Sequence, residues 1–318
     1  MNKKFFINHS PGEGAPFPID PVLTGIAVSY KNRGFIADEV LPRVPVSQLS
    51  FKYNTYPLND NFQSLNTAVG RKGKPQEIEL SATELTESCI NQALDDAIPY
   101  DDIEDAPANY NPEARAVETL TDLIDLKREV RAAAVVFATG SYASGFSSTP
   151  TKTWDDTTDG VPLSDLMGAL DVPFMRPNIM TIGQGAWTKL RQHPHIVQAV
   201  FGSAQSYGVV TREQLAAVLE LEKIVVGLSY YNSAKKGQAA SLAAIWGKHC
   251  SLLYIDHLAD TRGGVTFGFT AQKGTKLAGS KDDDSIGARG GKRVRVIDTV
   301  IELAVANKAG YLFANCVA

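Results

Sequence analysis

The spacing of hydrophobic positions changes along this chain, and the changes mark out its parts. In residues 37–53, ADEVLPRVPVSQLSFKY, Pro42 and Pro45 stand three apart. That bars a helix or an inner strand from running through them. Val40, Leu41, Val44, Val46 and Leu49 are nevertheless too apolar for a solvated linker. With Pro11, Pro16, Pro18 and Pro21, residues 1–50 hold six prolines. The pattern predicts an extended arm that joins no compact core of its own and lies across other surfaces. Within it, TGIAVSYKN (24–32) can make a short helix or strand.

From residue 51 the period becomes two. Phe51, Tyr53 and Thr55 alternate with Lys52, Asn54 and Tyr56, and Ile78, Leu80 and Ala82 with Glu77, Glu79 and Ser81. Such alternation of aromatic and β-branched residues predicts strands, here a long two-stranded excursion over 51–90. Between the strands, residues 57–76 are polar and rich in turn formers, with Arg71, Lys72 and Lys74 close together. A lone two-stranded hairpin is only marginally stable in water, so this one is predicted to rest on something else.

Residues 111–140 carry the strongest helical pattern. Asn111 suits an N-cap, Pro112 the first helical position and Glu113 the positive end, with Gly140 as a stop. Val117, Leu120, Ile124, Val130, Ala134 and Phe137 mark an apolar face. A helix over 112–138 would be roughly 40 Å long, a strut rather than a core helix. Asp125, Lys127, Arg128, Glu129 and Arg131 interrupt the stripe. They read either as a solvated face or as a contact with another subunit.

After a loop rich in Ser, Thr and Gly (139–160), the chain looks mixed α/β. NIMTI, KIVVGLSYY, HCSLLYI and GVTFGFTAQ read as strands, GQGAWTKLRQ and HPHIVQAVF as helices, and TREQLAAVLEL opens with a Thr211–Gln214 capping box. The tail after 291 reads as two or three more strands, and AGSKDDDSIGARGGKR (278–293) as an exposed loop. No internal repeat is visible.

Composition narrows the function more than the fold. The 318 residues are 44% hydrophobic and 21% charged with a net charge of −4, so no global basic field advertises nucleic-acid binding. Cys89, Cys250 and Cys316 are far apart and odd in number, which fits buried free thiols in a reducing compartment. No secretion signal and no run of about 20 apolar residues is present, so a cytosolic product without membrane contact is expected.

The search for chemistry finds no site. Gly183-x-Gly185 between a strand and a helix imitates a dinucleotide fingerprint, but Thr188 stands where the third glycine belongs. GARGGKR lacks phosphate-loop spacing, Asp282–Asp284 lacks calcium-loop spacing, and His193 and His195 flank a proline, a poor chelate. No catalytic residue, cofactor or metal ligand is assigned. An arm, a hairpin and a strut that cannot bury themselves are expected to be buried on partners.

The order of these parts resembles a known family. An ADEVLPRVPV arm is followed by SFKY, a basic GRKGKP segment, the long ARAVETLTDLIDLKREVRAA helix, then PNIMTIGQGAWTKLRQHPHI, VVGLSYYNSA, IWGKHCSLLYI and a β-rich end. Over about residues 30–318 this resembles the HK97-like major capsid proteins of tailed bacteriophages. The resemblance implies an α+β fold with an N-terminal arm (1–48), an extended E-loop hairpin (49–90), a P domain (91–174 and 291–318) carrying the spine helix (112–138), and an A domain (175–290).

It also implies a structural shell protein, not an enzyme, made in the host cytoplasm and built into a virion that encloses double-stranded DNA. Leu41, Val44, Val46, Phe51 and Tyr53 would be buried against neighbouring subunits, and Arg71, Lys72, Lys74, Arg128 and Arg131 would also make contacts between subunits. The implied partners are the chain itself in hexamers and pentamers, a separate scaffold protein (the arm begins almost at once), a portal protein, a decoration protein, and DNA held nonspecifically. Isopeptide cross-linking would need Lys72 or Lys74 with Asn307 or Asn315, and no matching catalytic Glu is assigned. The alternatives are an encapsulin-type nanocompartment shell and a nucleotide-dependent enzyme using the Gly183–Gly185 turn.

Overall fold

A computed structural model describes residues 22–23, 34–55, 67–71, 73–74, 77, 83–107, 110–202, 207–235, 237–261 and 263–318. The expected element at 24–32, most of the arm before it, Lys72 and the expected strand residues Ile78, Leu80 and Ala82 lie outside them. In chain order come α1 (Ala37–Val40), β1 (Arg43–Val46), β2 (Ser50–Thr55), β3 (Thr83–Ser88), β4 (Ile90–Pro99), α2 (Tyr100–Glu104) and the long α3 (Pro112–Val136). Then follow β5 (Ser147–Ser148), α4 (Pro162–Leu170), β6 (Ile179–Gly183), α5 (Gln184–Leu190), α6 (Pro194–Phe201), α7 (Arg212–Leu219) and β7 (Lys223–Gly227). The chain ends with β8 (Tyr230–Asn232), β9 (Leu242–Ala244), β10 (Cys250–Leu253), β11 (Gly268–Lys273), β12 (Leu277–Asp283), β13 (Gly291–Ala304) and β14 (Gly310–Phe313).

Two five-stranded sheets organise the molecule. The first runs β1-β11-β13-β12, with β4 along the other side of β13. The second runs β5-β14-β10-β6-β7. The second sheet is wrapped by helices around a core that includes Trp154, Met180, Trp187, Leu215 and Leu252. Helix α3 packs Val117, Leu120 and Ile124 onto Ile98, Val294 and Val296 of the first sheet. Strand β13 alternates as a half-buried strand should: Val294, Val296, Asp298, Val300 and Glu302 all lie on its buried side.

The ends of α3 have local causes. The Asn111 side chain accepts from the amides of Glu113 and Ala114, and Pro112 fills the first turn. The helix stops at Val136, short of Gly140. Ser141 and Tyr142 donate their hydroxyls to the carbonyls of Val135 and Val136, so side chains satisfy the last turn and the glycine is not the terminator.

Several expectations are corrected. Strand β2 pairs with Thr83–Ser88, with Ser50 opposite Ser88 and Thr55 opposite Thr83, so the described pairing continues C-terminal to the expected strand, of which 78–82 lie outside the described residues. The segment 278–293 is no loop: β12 runs to Asp283 and β13 begins at Gly291, joined by a hairpin turn that Asp283 ties through Ser285 and Arg293. KIVVGLSYY is broken at Leu228–Ser229 into β7 and β8, which belong to different sheets. The boundary drawn at 290/291 also cuts across the sheets. β11 and β12 pair with β13, while β14 pairs with β10. The reason is that β13 is 14 residues long and pairs with β4 from the expected P domain as well as with β11 and β12 from the expected A domain.

The arm departs furthest from expectation. Leu41 is 0% exposed, and Val44, Val46, Phe51 and Tyr53 are buried, all within the same chain. Strand β1 adds in parallel to the edge of β11, with Val44 opposite Ala271. The two prolines permit this because the strand is an edge. Thr270 donates to the Pro42 carbonyl, so Pro42, Val44 and Val46 turn their polar groups to β11, and Pro45 faces outward where no amide is needed.

Candidate assembly surfaces

The middle of α3 is a charged junction that fastens the arm to the body. Asp125 takes the ammonium of Lys276 on both oxygens at 2.6 Å and lies 3.6 Å from Arg43. Arg128, 3% exposed, donates to Asp38 at 2.8 Å, to Thr270 Oγ1 at 3.1 Å and to the Leu41 carbonyl at 3.3 Å. Arg131 grips Glu302 with two hydrogen bonds of 2.8 and 3.0 Å. From the arm, Arg43 reaches Asp38 at 2.9 Å and Asp298 at 3.1 Å.

Glu129 is the odd member. It is 0% exposed, and among the described residues it has no ion-pair partner. Its oxygens accept from the amides of Ile36 and Ala37, both at 2.9 Å, from Trp246 Nε1 at 2.6 Å and from Ser229 Oγ at 3.3 Å. Burial pushes its pKa above the usual carboxylate range, and the four hydrogen bonds pull it back only in part. Burial also acts to raise Asp38, but the guanidinium groups of Arg128 and Arg43 outweigh it and hold that carboxyl low. Burial and the neighbouring Arg43 pull Arg128 down.

Of the charged residues in the helix middle Lys127 is exposed, whereas Asp125, Arg128, Glu129 and Arg131 are engaged within their own chain. The sequence carries a signal for Arg128. It stands four residues after Ile124 and eight after Leu120, on the stripe the helix buries. Nothing local marks its partner Asp38, 90 residues away, nor the Trp246 donor.

The β2–β3 ribbon is fixed at its base. Phe51 and Tyr53 pack with Val44, Val46, Phe269 and Ala271, and the rings of Tyr53 and Phe269 meet edge to face at 6.4 Å. The outer strand is open to solvent, Leu85 included. At the tip region Arg71 and Lys74 are exposed and have no ion pair among the described residues.

An apolar groove of about 690 Å³ lies between α3, β4 and β8, lined by Leu94, Leu123, Leu126 and Val130. A smaller hollow of about 290 Å³ continues it past Gln92 to Ile90 and Ala134. Leu123 is 47% exposed and Ile90 57%. Leu123 lines the larger hollow and Ile90 the smaller, both as exposed large apolar side chains.

The remaining sequence candidates have structural explanations. A Cβ on Gly183 would sit 2.0 Å from the Gly247 carbonyl oxygen, so this glycine permits two backbones to cross, whereas Gly185 has open space around it. His193 caps α6 with Nδ1 and touches the Asp156 carbonyl with Nε2. The three cysteines are buried and unpaired. Among the described residues no cluster of His, Cys, Asp and Glu is placed to hold a metal. No described helix is long and apolar enough to cross a membrane.

Comparison with known proteins adds to this geometry. No family model matches the chain. The major capsid protein of Pseudomonas phage JBD67 is 48% identical over 306 residues, covering 96% of this chain and 99% of that protein. A crystal structure of a phage-related protein from Bordetella bronchiseptica superposes with a TM-score of 0.72 at 22% identity, covering 94% of this chain and 98% of that one. The capsid of cyanophage P-SCSP1u superposes with a TM-score of 0.54 at 12% identity, covering 90% of each chain.

Proposed function

The chain belongs to the major capsid proteins of bacteriophages, and from this premise we propose that it closes through hexamers and pentamers into an icosahedral head around double-stranded DNA. As a major capsid protein it is a structural component of the virion shell and not an enzyme. Its α+β fold is the one found in phage capsids. The finer reading is supported by one observation: among the described residues, a ribbon is packed at its base by Phe51 and Tyr53, its outer strand is open, Arg71 and Lys74 are exposed without an ion pair, and the body carries an exposed apolar groove.

With Leu41, Val44, Val46, Phe51 and Tyr53 engaged at home, the contacts offered to a neighbour shift outward along the ribbon. In this reading the tip, Arg71, Lys72 and Lys74, meets carboxylates of the next copy, and the groove along α3 is covered by that copy. Such head-to-tail contacts close into rings. Exposed Asp102 and Asp105, just before α3, supply acidic surface of the required sign. A scaffold protein, a portal and a decoration protein complete the proposed set of partners, and DNA is met through phosphate neutralisation without sequence preference.

The test is charge reversal. Arg71→Glu, Lys72→Glu and Lys74→Glu together should abolish or sharply reduce particles seen by negative-stain microscopy, while the circular dichroism and melting temperature of the subunit stay as in the parent. Normal particle yield from the triple variant would remove the tip from the assembly contacts.

A further inference from the structure

We propose that the free edge of β4 is the seat of a second copy of this chain: in the unassembled protein two copies pair their β4 strands antiparallel about a two-fold axis at Leu94, and each helps to fill the other's groove. In the shell reading the same groove is covered head to tail, so this pair is a state of the free chain that assembly replaces, and it does not depend on that reading.

The edge comes first. Among the described residues β4 is bonded only to β13. Tyr100 N donates to the Gly290 carbonyl, which continues the same register by one residue. Hydrogen-bonded pairs alternate along an antiparallel ladder, so Ile90, Gln92, Leu94, Asp96 and Ile98 turn their backbone groups to β13. Asn91, Ala93, Asp95 and Ala97 turn theirs outward, and all four residues are exposed. The opposite edge of the sheet, β1, is blunted by the outward-facing Pro45. Strand β4 has no proline before Pro99, and its register runs unbroken over ten residues. An unprotected edge of that length is a template for another strand.

The groove comes second. Gln92, Ala93 and Leu94 line it in succession, so it opens along the free edge of the strand. The side chains of Ile90, Leu94 and Ile98 stand on the face of the sheet that carries α3, opposite Val300, Val296 and Lys292. A strand added to this edge with the same residues on the same face brings apolar side chains to Leu123, Leu126 and Val130.

Self-complementarity identifies the occupant. Two registers give β4 its longest overlap with a copy of itself while joining outward-facing residues. One sets Asp95 against Asp95 of the second copy, like charges directly opposed. The other sets Leu94 against Leu94, Ile90 against Ile98 and Gln92 against Asp96, so that an amide meets each carboxylate. In that register Asp95 faces Ala93, and its charge is already taken up by Arg295, which donates to both of its oxygens at 2.5 Å.

Cysteine cross-linking of the purified, unassembled full chain reads the register. Directly opposed residues of a non-hydrogen-bonded pair have Cα atoms about 4.5 Å apart, within the roughly 4.4–6.8 Å that a disulfide spans. Under mild oxidation most of the Leu94→Cys chains should run at twice the subunit mass on a non-reducing gel. Gln92→Cys alone and the unmodified protein, whose three cysteines are buried, should stay single, and Gln92→Cys combined with Asp96→Cys should cross-link. Sedimentation of the unmodified chain should show a dimer. Ala93→Pro, which gives β4 an outward proline like that of β1, should weaken the dimer at least tenfold. An unmodified chain that is monomeric at every concentration would overturn the proposal, whether or not the variants fold. So would Leu94→Cys and Gln92→Cys cross-linking equally, or a folded Leu94→Cys that stays single. Particles that form from a chain with no two-fold pair would remove this proposal and leave the shell reading standing.

Discussion

Asp38 and Glu129 sit at the same joint and respond to acid in opposite senses. Asp38 is depressed by Arg128 and Arg43, so the stability it contributes is complete above its ordinary value of 3.8 and is lost as pH falls through its lower folded value. Glu129 is raised by burial, so the folded state binds its proton more readily than the unfolded chain does. On its account stability rises as pH falls from its elevated folded value toward the ordinary 4.5. His193 and His249, lowered by burial, cost stability as pH falls below 6.5, so the Glu129 contribution is read as a difference between two proteins. Followed by denaturant midpoint on the unassembled subunit, the unmodified protein should gain stability in mild acid relative to Glu129→Gln, and both should lose it in strong acid. A difference between the two that does not change with pH would contradict the assignment to Glu129.

At the scale of elements, the turn from β6 into α5 separates two readings of one pattern. A nucleotide loop would require both Gly183 and Gly185, for turn shape and for close approach of a phosphate. In this protein only Gly183 is constrained, by the Gly247 backbone at 2.0 Å from where its Cβ would stand. Gly183→Ala should therefore destabilise by roughly 1–3 kcal/mol through overpacking. Gly185→Ala, inside a helix with open space beside it, should be neutral or stabilise by up to about 1 kcal/mol. Thermal or chemical melts of the two variants decide it. A large loss at Gly185 would mean the turn is under some demand beyond packing. The ribbon makes a related point. Its inner residues Phe51 and Tyr53 anchor on Phe269 and Ala271, far away in sequence, so the period of two locates the strand while the anchor depends on how the sheet is assembled.

For the whole molecule, contacts through an exposed basic tip would be made in water and screened by salt, with a Debye length of about 10 Å at 0.1 M. Assembly of the unmodified protein should weaken as ionic strength rises from about 0.05 to 0.5 M, read by light scattering, while the melting temperature of the free subunit, held by buried pairs such as Arg131–Glu302, changes little. Assembly that strengthens with salt would point to the groove along α3 as the dominant contact instead.

The sequence by itself determined what is local: the Asn111–Pro112 start of the long helix, the Thr211–Gln214 capping box, the first ribbon strand and most strand positions after 178. Capping groups and hydrophobic period act within a few residues, so they can be read along the chain. The resemblance also carried the family. Tertiary structure alone decided where the arm is buried, which strands share a sheet, and that Glu129 joins Ile36, Ser229 and Trp246. The arm's partners 90 or more residues away, Arg128 and Glu129 on α3 and Thr270 on β11, are set by how β1 pairs with the edge of β11 and α1 packs on α3, long-range choices that leave no periodic trace in the arm.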